Sequence, residues 1–233
     1  MMNVMVRSAR KNGWNIYLLL HIMVFIIIRI CTPYRNGTVL DAYTDMYYER
    51  RVLGINILGY FLLLGPMCKN MLTSTVAISC GTHEEHILLL VKKIIFRAVS
   101  YSFVLNILYY LIVGMSADDW MLKENIIRTG LLFLTQLIGW CVTGFLYLVI
   151  YICSGHVLLT VCLSYLCMIL LHLSNYVNCY EQLQYYIRLY YLMFHIEVYP
   201  SFSCLISATI LYFIVGLLLC IASYKKLQKK EYL

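Results

Sequence analysis

The residues best suited to chemistry lie in one short polar stretch, His83-Glu84-Glu85-His86, between two apolar runs. Zinc-dependent peptidases place two histidines four residues apart on one helix face, with a glutamate beside the first as general base. Here the two histidines are only three residues apart, so the motif fails at the second histidine. The stretch therefore does not predict a zinc peptidase.

The other candidates for catalysis are isolated. Ser154-Gly155-His156 has no acidic partner nearby, and the chain has no phosphate-cradling glycine loop, so we expect no nucleotide hydrolysis by this chain itself. Several further polar residues lie inside apolar runs, where hydrogen bonding to a neighbouring helix is the ordinary role. They are His21, His172, Asn56, Asn106 and Gln136.

The composition places these residues in a membrane protein. Of 233 residues, 62% are hydrophobic and 12% are charged, about half the charged fraction of a soluble domain, and the mean hydropathy is +0.78. The ten cysteines include no C-x-x-C pair, so neither a zinc site nor a disulfide framework is predicted. A pairing of Cys31 with Cys179 stays open.

Six apolar runs approach the roughly 20 residues that a helix needs to cross the hydrocarbon core. We therefore predict an all-α, polytopic, single-domain protein. Its predicted spans are residues 14–31, 52–68, 98–114, 130–153, 157–173 and 202–223. Residues 116–129 are expected to form a polar loop containing Lys123, Glu124 and Arg128, and residues 154–156 a tight turn.

The orientation follows from lysine and arginine counts. With six spans, the amino terminus, the second and fourth loops and the carboxyl tail share one side, which holds 11 basic residues against 7 opposite. Basic residues favour the cytoplasm, so both termini are predicted to be cytoplasmic.

The second loop carries the clearest local signals. We expect a short amphipathic piece, a break at Gly81, and a helix that begins with a Thr82/Glu85 capping box and continues into the membrane. Glu84 and Glu85 suit the positive end of that helix dipole, and Lys92 can snorkel to the headgroups. This segment, called here the 70–86 junction, is expected to present its charges, including His86, to another protein.

A tyrosine-rich loop covers residues 175–201. Tyrosine suits the membrane interface because its ring is apolar and its hydroxyl stays hydrated. The loop is either an interfacial aromatic belt or a helix folded back into the outer leaflet that closes the outer end of a substrate path.

Three features together resemble small six-span permease subunits of type-two ABC exporters, of the kind that serve bacteriocin, lantibiotic or antimicrobial-peptide transport and immunity. They are the basic segment before the first span, the stretch TSTVAISCGTHEEHILLLVKKII, and the basic ending IASYKKLQKKEYL. Many members carry serine-arginine where this chain has Thr82-His83. The resemblance implies that the 70–86 junction is a coupling helix for a separate ATPase.

The resemblance also implies the partners and the site residues. ATP and magnesium would be bound by the separate ATPase subunit, and a second permease subunit and membrane lipid would complete the complex in a bacterial plasma membrane; nucleic acid has no role. The implied coupling residues are Thr73, Thr75, Gly81, Thr82, His83, Glu84, Glu85, His86 and Lys92. The implied external gate is Tyr185, Tyr186, Tyr190, Tyr191 and Phe194.

The cargo expected of such a permease is an amphipathic peptide, a lipid or an antibiotic. An intramembrane enzyme or peptide-processing protein stays open as the alternative, and so does a scaffold for other membrane proteins. An enzyme would need polar groups converging at membrane depth, whereas the charges of this chain gather in the 70–86 junction.

Overall fold

A computed structural model describes residues 52–114, 123–173 and 202–229, together with Met23, and within these ranges all regular structure is helical. Apart from Met23, the predicted first span lies outside the described residues, as do Cys31, Cys179 and the tyrosine-rich loop. A π-helical turn, Val52–Ile57, leads into the first α-helix. The α-helices are α1 (Leu58–Met71), α2 (Ser74–Cys80), α3 (His83–Gly114), α4 (Lys123–Ser154), α5 (Val157–Leu173) and α6 (Phe202–Gln228).

Two of these helices are long and apolar enough to cross a membrane, over Gly130–Ser154 in α4 and Leu205–Gln228 in α6. A shorter apolar helix covers Val157–Leu171. The all-helical architecture is thus present in the described ranges, while the arrangement of six spans stays a prediction.

The predicted polar loop at residues 116–129 is too long. Helix α4 begins at Lys123, so Lys123, Glu124 and Arg128 belong to its first turns. Lysine, glutamate and arginine are good helix formers, so their charges do not end the helix. Likewise α6 continues beyond residue 223 through Lys225 and Lys226, whose charges suit its carboxyl end.

Helix α4 lies at the centre and packs against α1, α3, α5 and α6. Contacts with α3 pair Gln136 with Asn106 and Trp140 with Tyr101, so these two helices are antiparallel. Contacts with α6 pair residue 135 with 209 and residue 142 with 216, so α4 and α6 are parallel. The 70–86 junction, the turn at residues 154–156 and the lysine-bearing end of α6 therefore lie at one end of the bundle.

An aromatic cluster joins three helices at the centre of the core. The rings of Tyr60, Tyr101 and Trp140 have centroid distances of 5.1, 5.0 and 4.8 Å, within the range in which aromatic pairs attract one another. The Tyr101 hydroxyl donates to the Asn56 carbonyl at 2.7 Å. That bond satisfies a carbonyl of the π-helical turn and ties α3 to the start of α1.

Gly144 sets how closely α4 approaches its neighbours. A Cβ at this position would lie 2.6 Å from Ile94 Cγ2 and 3.0 Å from the Tyr60 hydroxyl. Small residues allow such close backbone approach between membrane helices. Helices α1 and α3 can therefore pack this closely on α4 only because Gly144 has no side chain.

Buried polar side chains also join the helices. Asn106 Nδ2 donates to Gln136 Oε1 at 3.4 Å between α3 and α4, which confirms the role predicted for these two residues. The hydroxyls of Thr135 and Thr209 are 2.9 Å apart between α4 and α6. Each hydroxyl also lies within hydrogen-bond distance of a carbonyl of its own helix. Because a hydroxyl carries one hydrogen, one threonine donates across the interface while the other donates to its own helix.

The substitution Gly144→Ala is predicted to destabilise the bundle. Alanine favours a helix by about 1 kcal/mol over glycine, but overpacking a buried contact costs about 1–3 kcal/mol. Ile94 is β-branched and fully buried, so its methyl group cannot easily move aside. We expect a lower midpoint of thermal unfolding in detergent, measured by circular dichroism.

Gly130→Ala is the matched control on the same helix, because a Cβ at Gly130 would have no neighbour within 4 Å. It should leave the midpoint unchanged or raise it. Equal effects of the two substitutions would show that Gly144 is not a site of close approach.

Candidate functional site

The 70–86 junction begins where α1 ends. The Leu72 amide donates to the Cys68 carbonyl at 3.0 Å and completes the last turn of α1. Thr73 then adopts an extended backbone with φ −77° and ψ 149°, and its hydroxyl donates to the Asn70 carbonyl at 3.1 Å. The amides of Val76 and Ala77 donate to the Thr73 carbonyl, each at 3.1 Å, which starts α2.

Gly81 ends α2, as the sequence predicts. Its φ of 76° lies in the region that favours glycine, and its amide donates to the Ile78 carbonyl at 3.2 Å. Any side chain here would strain the backbone, so the break between α2 and α3 depends on glycine.

Thr82 begins α3 as its N-cap. The Glu85 amide donates to Thr82 Oγ1 at 3.2 Å, which confirms the hydroxyl half of the predicted capping box. The His86 amide donates to the Thr82 carbonyl at 3.1 Å as the first α-helical bond. Glu84 and Glu85 lie in this first turn, where the helix dipole stabilises their charge.

His86 differs from the prediction. It was expected among the exposed charges, but only 1% of its surface is exposed. Its Nε2 lies 2.8 Å from the Met71 carbonyl oxygen, and since a carbonyl only accepts, Nε2 carries the hydrogen. His86 thus joins the start of α3 to the end of α1. The reason is its position on the inner face of α3, in line with buried Leu90 and Ile94.

The remaining predicted coupling residues are all exposed. They are Thr73, Thr75, Gly81, Thr82, His83, Glu84, Glu85 and Lys92. Lys92 lies two turns along α3 from Glu85 and is separate from the tip of the junction. The predicted gate residues lie outside the described residues.

Two exposed apolar residues complete this surface and were missed from the sequence. Ile78 on α2 is 72% exposed, and Leu88 on α3 is 51% exposed. Leu88 is four residues after Glu84 and therefore on the same helix face. That spacing is a signal the sequence contains, whereas the exposure of Ile78 depends on how α2 packs on α1 and α3.

The junction also contains a thiol, Cys80, which is partly buried. Burial, and secondarily the Glu85 carboxylate, raises the pKa of the Cys80 thiol. The thiolate is the reactive form of cysteine, so Cys80 is a poor nucleophile at neutral pH. Among the described residues, no group of three or more His, Cys, Asp and Glu side chains is placed to hold a metal ion.

No protein-family model matches the chain, and no curated protein or solved structure is significantly similar to it. The geometry of the junction and its chemistry therefore carry the functional argument.

We predict that His86→Ala loosens the whole junction. Truncation removes the donor to the Met71 carbonyl and leaves a cavity beside it, and losing one partner of a buried hydrogen bond costs about 1–3 kcal/mol. Hydrogen–deuterium exchange of the full chain in detergent should become faster over residues 71–80.

Thr82→Ala separates this effect from ordinary helix capping. Loss of the cap costs about 1 kcal/mol and should speed exchange only in the first turn of α3. Unchanged exchange over residues 71–80 in His86→Ala would contradict the role assigned to His86.

Proposed function

We propose that this chain is the membrane-spanning permease subunit of an ATP-driven exporter, and that its 70–86 junction docks on a separate ATPase subunit. The observation that carries the proposal is the construction of the junction. A short helix is fixed to the bundle on both sides, and its outer surface combines apolar and acidic side chains.

A coupling element must transmit force to the helices that enclose the cargo. Helix α2 is connected to α1 through Leu72 and Thr73 and to α3 through Gly81 and Thr82, and His86 joins α1 to α3 directly. A displacement of α2 therefore acts on both helices. Helix α3 is continuous over 32 residues, about 48 Å at 1.5 Å per residue, and so reaches the far end of the bundle.

The outer surface of the junction has the character of a protein interface. Exposed Ile78 and Leu88 supply apolar contact area, and exposed Glu84 and Glu85 supply charge. Apolar contacts at the centre and complementary charges at the rim are typical of specific association. A partner groove carrying basic residues would be complementary to this surface.

Exposed apolar side chains elsewhere support a location in the membrane. Helix α6 exposes one stripe at helical spacing, formed by Ile206, Ile210, Phe213, Leu217 and Ile221. Helix α5 exposes a similar stripe of leucines, including Leu159, Leu163, Leu166 and Leu170. Large apolar surfaces of this kind require a partner or lipid. In the proposal they face lipid or a second permease subunit, and the cargo is an amphipathic peptide, a lipid or an antibiotic.

The charge reversal Glu84→Lys/Glu85→Lys is predicted to abolish ATPase binding. It leaves Thr82 and His86 in place but puts positive charge against a basic partner, where like-charge contact costs several kcal/mol. We expect a tagged wild-type chain, purified from its native membranes, to co-purify with a second protein. Mass spectrometry should identify this protein as one whose sequence contains a phosphate-binding loop. The chain with both charges reversed should insert normally into the membrane but should no longer co-purify with that protein.

Thr82→Ala is the control, because it weakens the start of α3 without altering the charge, and it should retain the partner. Equal retention by the reversed and wild-type chains would show that the junction is not the docking surface. Cargo transport or peptide cleavage by the purified chain alone in liposomes would contradict the subunit function, and peptide cleavage would favour the enzyme alternative.

A further inference from the structure

Exposed apolar residues are followed by exposed lysines towards one end of the bundle on three helices. On α1, exposed Leu62 is followed seven residues later by exposed Lys69. On α6, exposed Ile221 is followed four residues later by exposed Lys225. On α3, which runs the opposite way, exposed Phe96 is preceded four residues earlier by exposed Lys92. Separations of four and seven residues keep each pair on one helix face.

The packing places these changes at the same end. Ile94 of α3 lies beside Gly144 of α4, and Val142 of α4 lies beside Gly216 of α6. When residues are counted along each helix from these contacts, at 1.5 Å per residue, the positions of Lys92 and Lys225 along the bundle axis differ by about 8 Å. Long lysine side chains cover such a difference by snorkelling. Lys226, also exposed, lies one residue further along α6.

These lysines are available to an external ligand. No ion pair joins Lys69, Lys92, Lys225 or Lys226 to a carboxylate among the described residues. Each lies next to apolar surface of the kind that contacts acyl chains. A ligand that fits such a surface has a negative charge directly above an apolar body.

We propose that Lys69, Lys92, Lys225 and Lys226 form a belt that binds the phosphate headgroups of anionic phospholipids in the adjoining leaflet. The acyl chains of the bound lipids lie along the apolar faces that contain Leu62, Phe96 and Ile221. The four lysines lie on α1, α3 and α6 and outside residues 70–86, so this surface is distinct from the docking surface of the proposed function.

The experiment uses the full chain purified in a nonionic detergent. Native mass spectrometry measures bound lipid during titration with phosphatidylglycerol or phosphatidylcholine, with and without millimolar inorganic phosphate. We expect tighter binding of phosphatidylglycerol, no displacement by phosphate, and weakening by about fivefold for each lysine removed in Lys225→Gln/Lys226→Gln and in Lys69→Gln/Lys92→Gln.

The control is Lys123→Gln/Arg128→Gln, which removes two basic residues from the opposite end of the bundle and should keep the wild-type affinity. Lys225→Arg/Lys226→Arg preserves the charge and should also keep it, which separates charge from misfolding. The proposal is overturned if both lipids bind equally, if phosphate displaces the lipid, if the belt variants bind as the wild type does, or if the control loses as much affinity.

Discussion

The close approach of α3 and α1 to α4 at Gly144 is the contact on which the rest of the described structure depends. Without a Cβ at this position, Ile94 and Tyr60 come directly against the backbone of α4. The Tyr60–Tyr101–Trp140 cluster then fills the space beside the contact. Because membrane helices gain little from the hydrophobic effect between one another, such steric fit and the buried hydrogen bonds supply much of the cohesion.

This packing determines where the functional surfaces lie. Helix α3 is antiparallel to α4, whereas α1 and α6 are parallel to α4. The end of α1, the start of α3 and the end of α6 therefore meet at one end of the bundle. The 70–86 junction and the lysine belt both belong to that end. A single packing arrangement thus puts at one end both surfaces proposed above, the acidic and apolar tip for a protein partner and the lysine belt for lipid phosphate.

Features governed by neighbouring residues were predictable from the sequence. The roles of Gly81 and Thr82 follow from their residue types, since glycine tolerates a positive φ and threonine has a capping hydroxyl. Helix α5 has the bounds of its predicted span, because apolar length is also a local property. That Asn106 and Gln136 bond a neighbouring helix follows from the general need of buried amides for partners, whereas their pairing with each other comes from the packing.

Features governed by long-range packing were not predictable. The burial of His86 depends on the position of the Met71 carbonyl, which the hydrophobic pattern does not give. The aromatic cluster requires the register of three helices. The start of α4 at Lys123 was missed for a local reason, because charged residues suggest a loop although lysine and glutamate are good helix formers.

The parallel register of α4 and α6 is the most direct test of the account, since it places the 70–86 junction and the lysines of α6 at one end. Thr135→Cys/Thr209→Cys, in a chain whose native cysteines are replaced by alanine, should form a disulfide rapidly under mild oxidation, because the two hydroxyl oxygens are 2.9 Å apart. Val142→Cys/Gly216→Cys, seven residues further along both helices, should cross-link as well, because a Cβ at Gly216 would lie 3.4 Å from Val142 Cγ2. Val142→Cys/Phe202→Cys, which an antiparallel arrangement through the same Thr135–Thr209 contact would bring together, should not. Cross-linking of this last pair in place of the second would contradict the parallel register and, with it, the shared end.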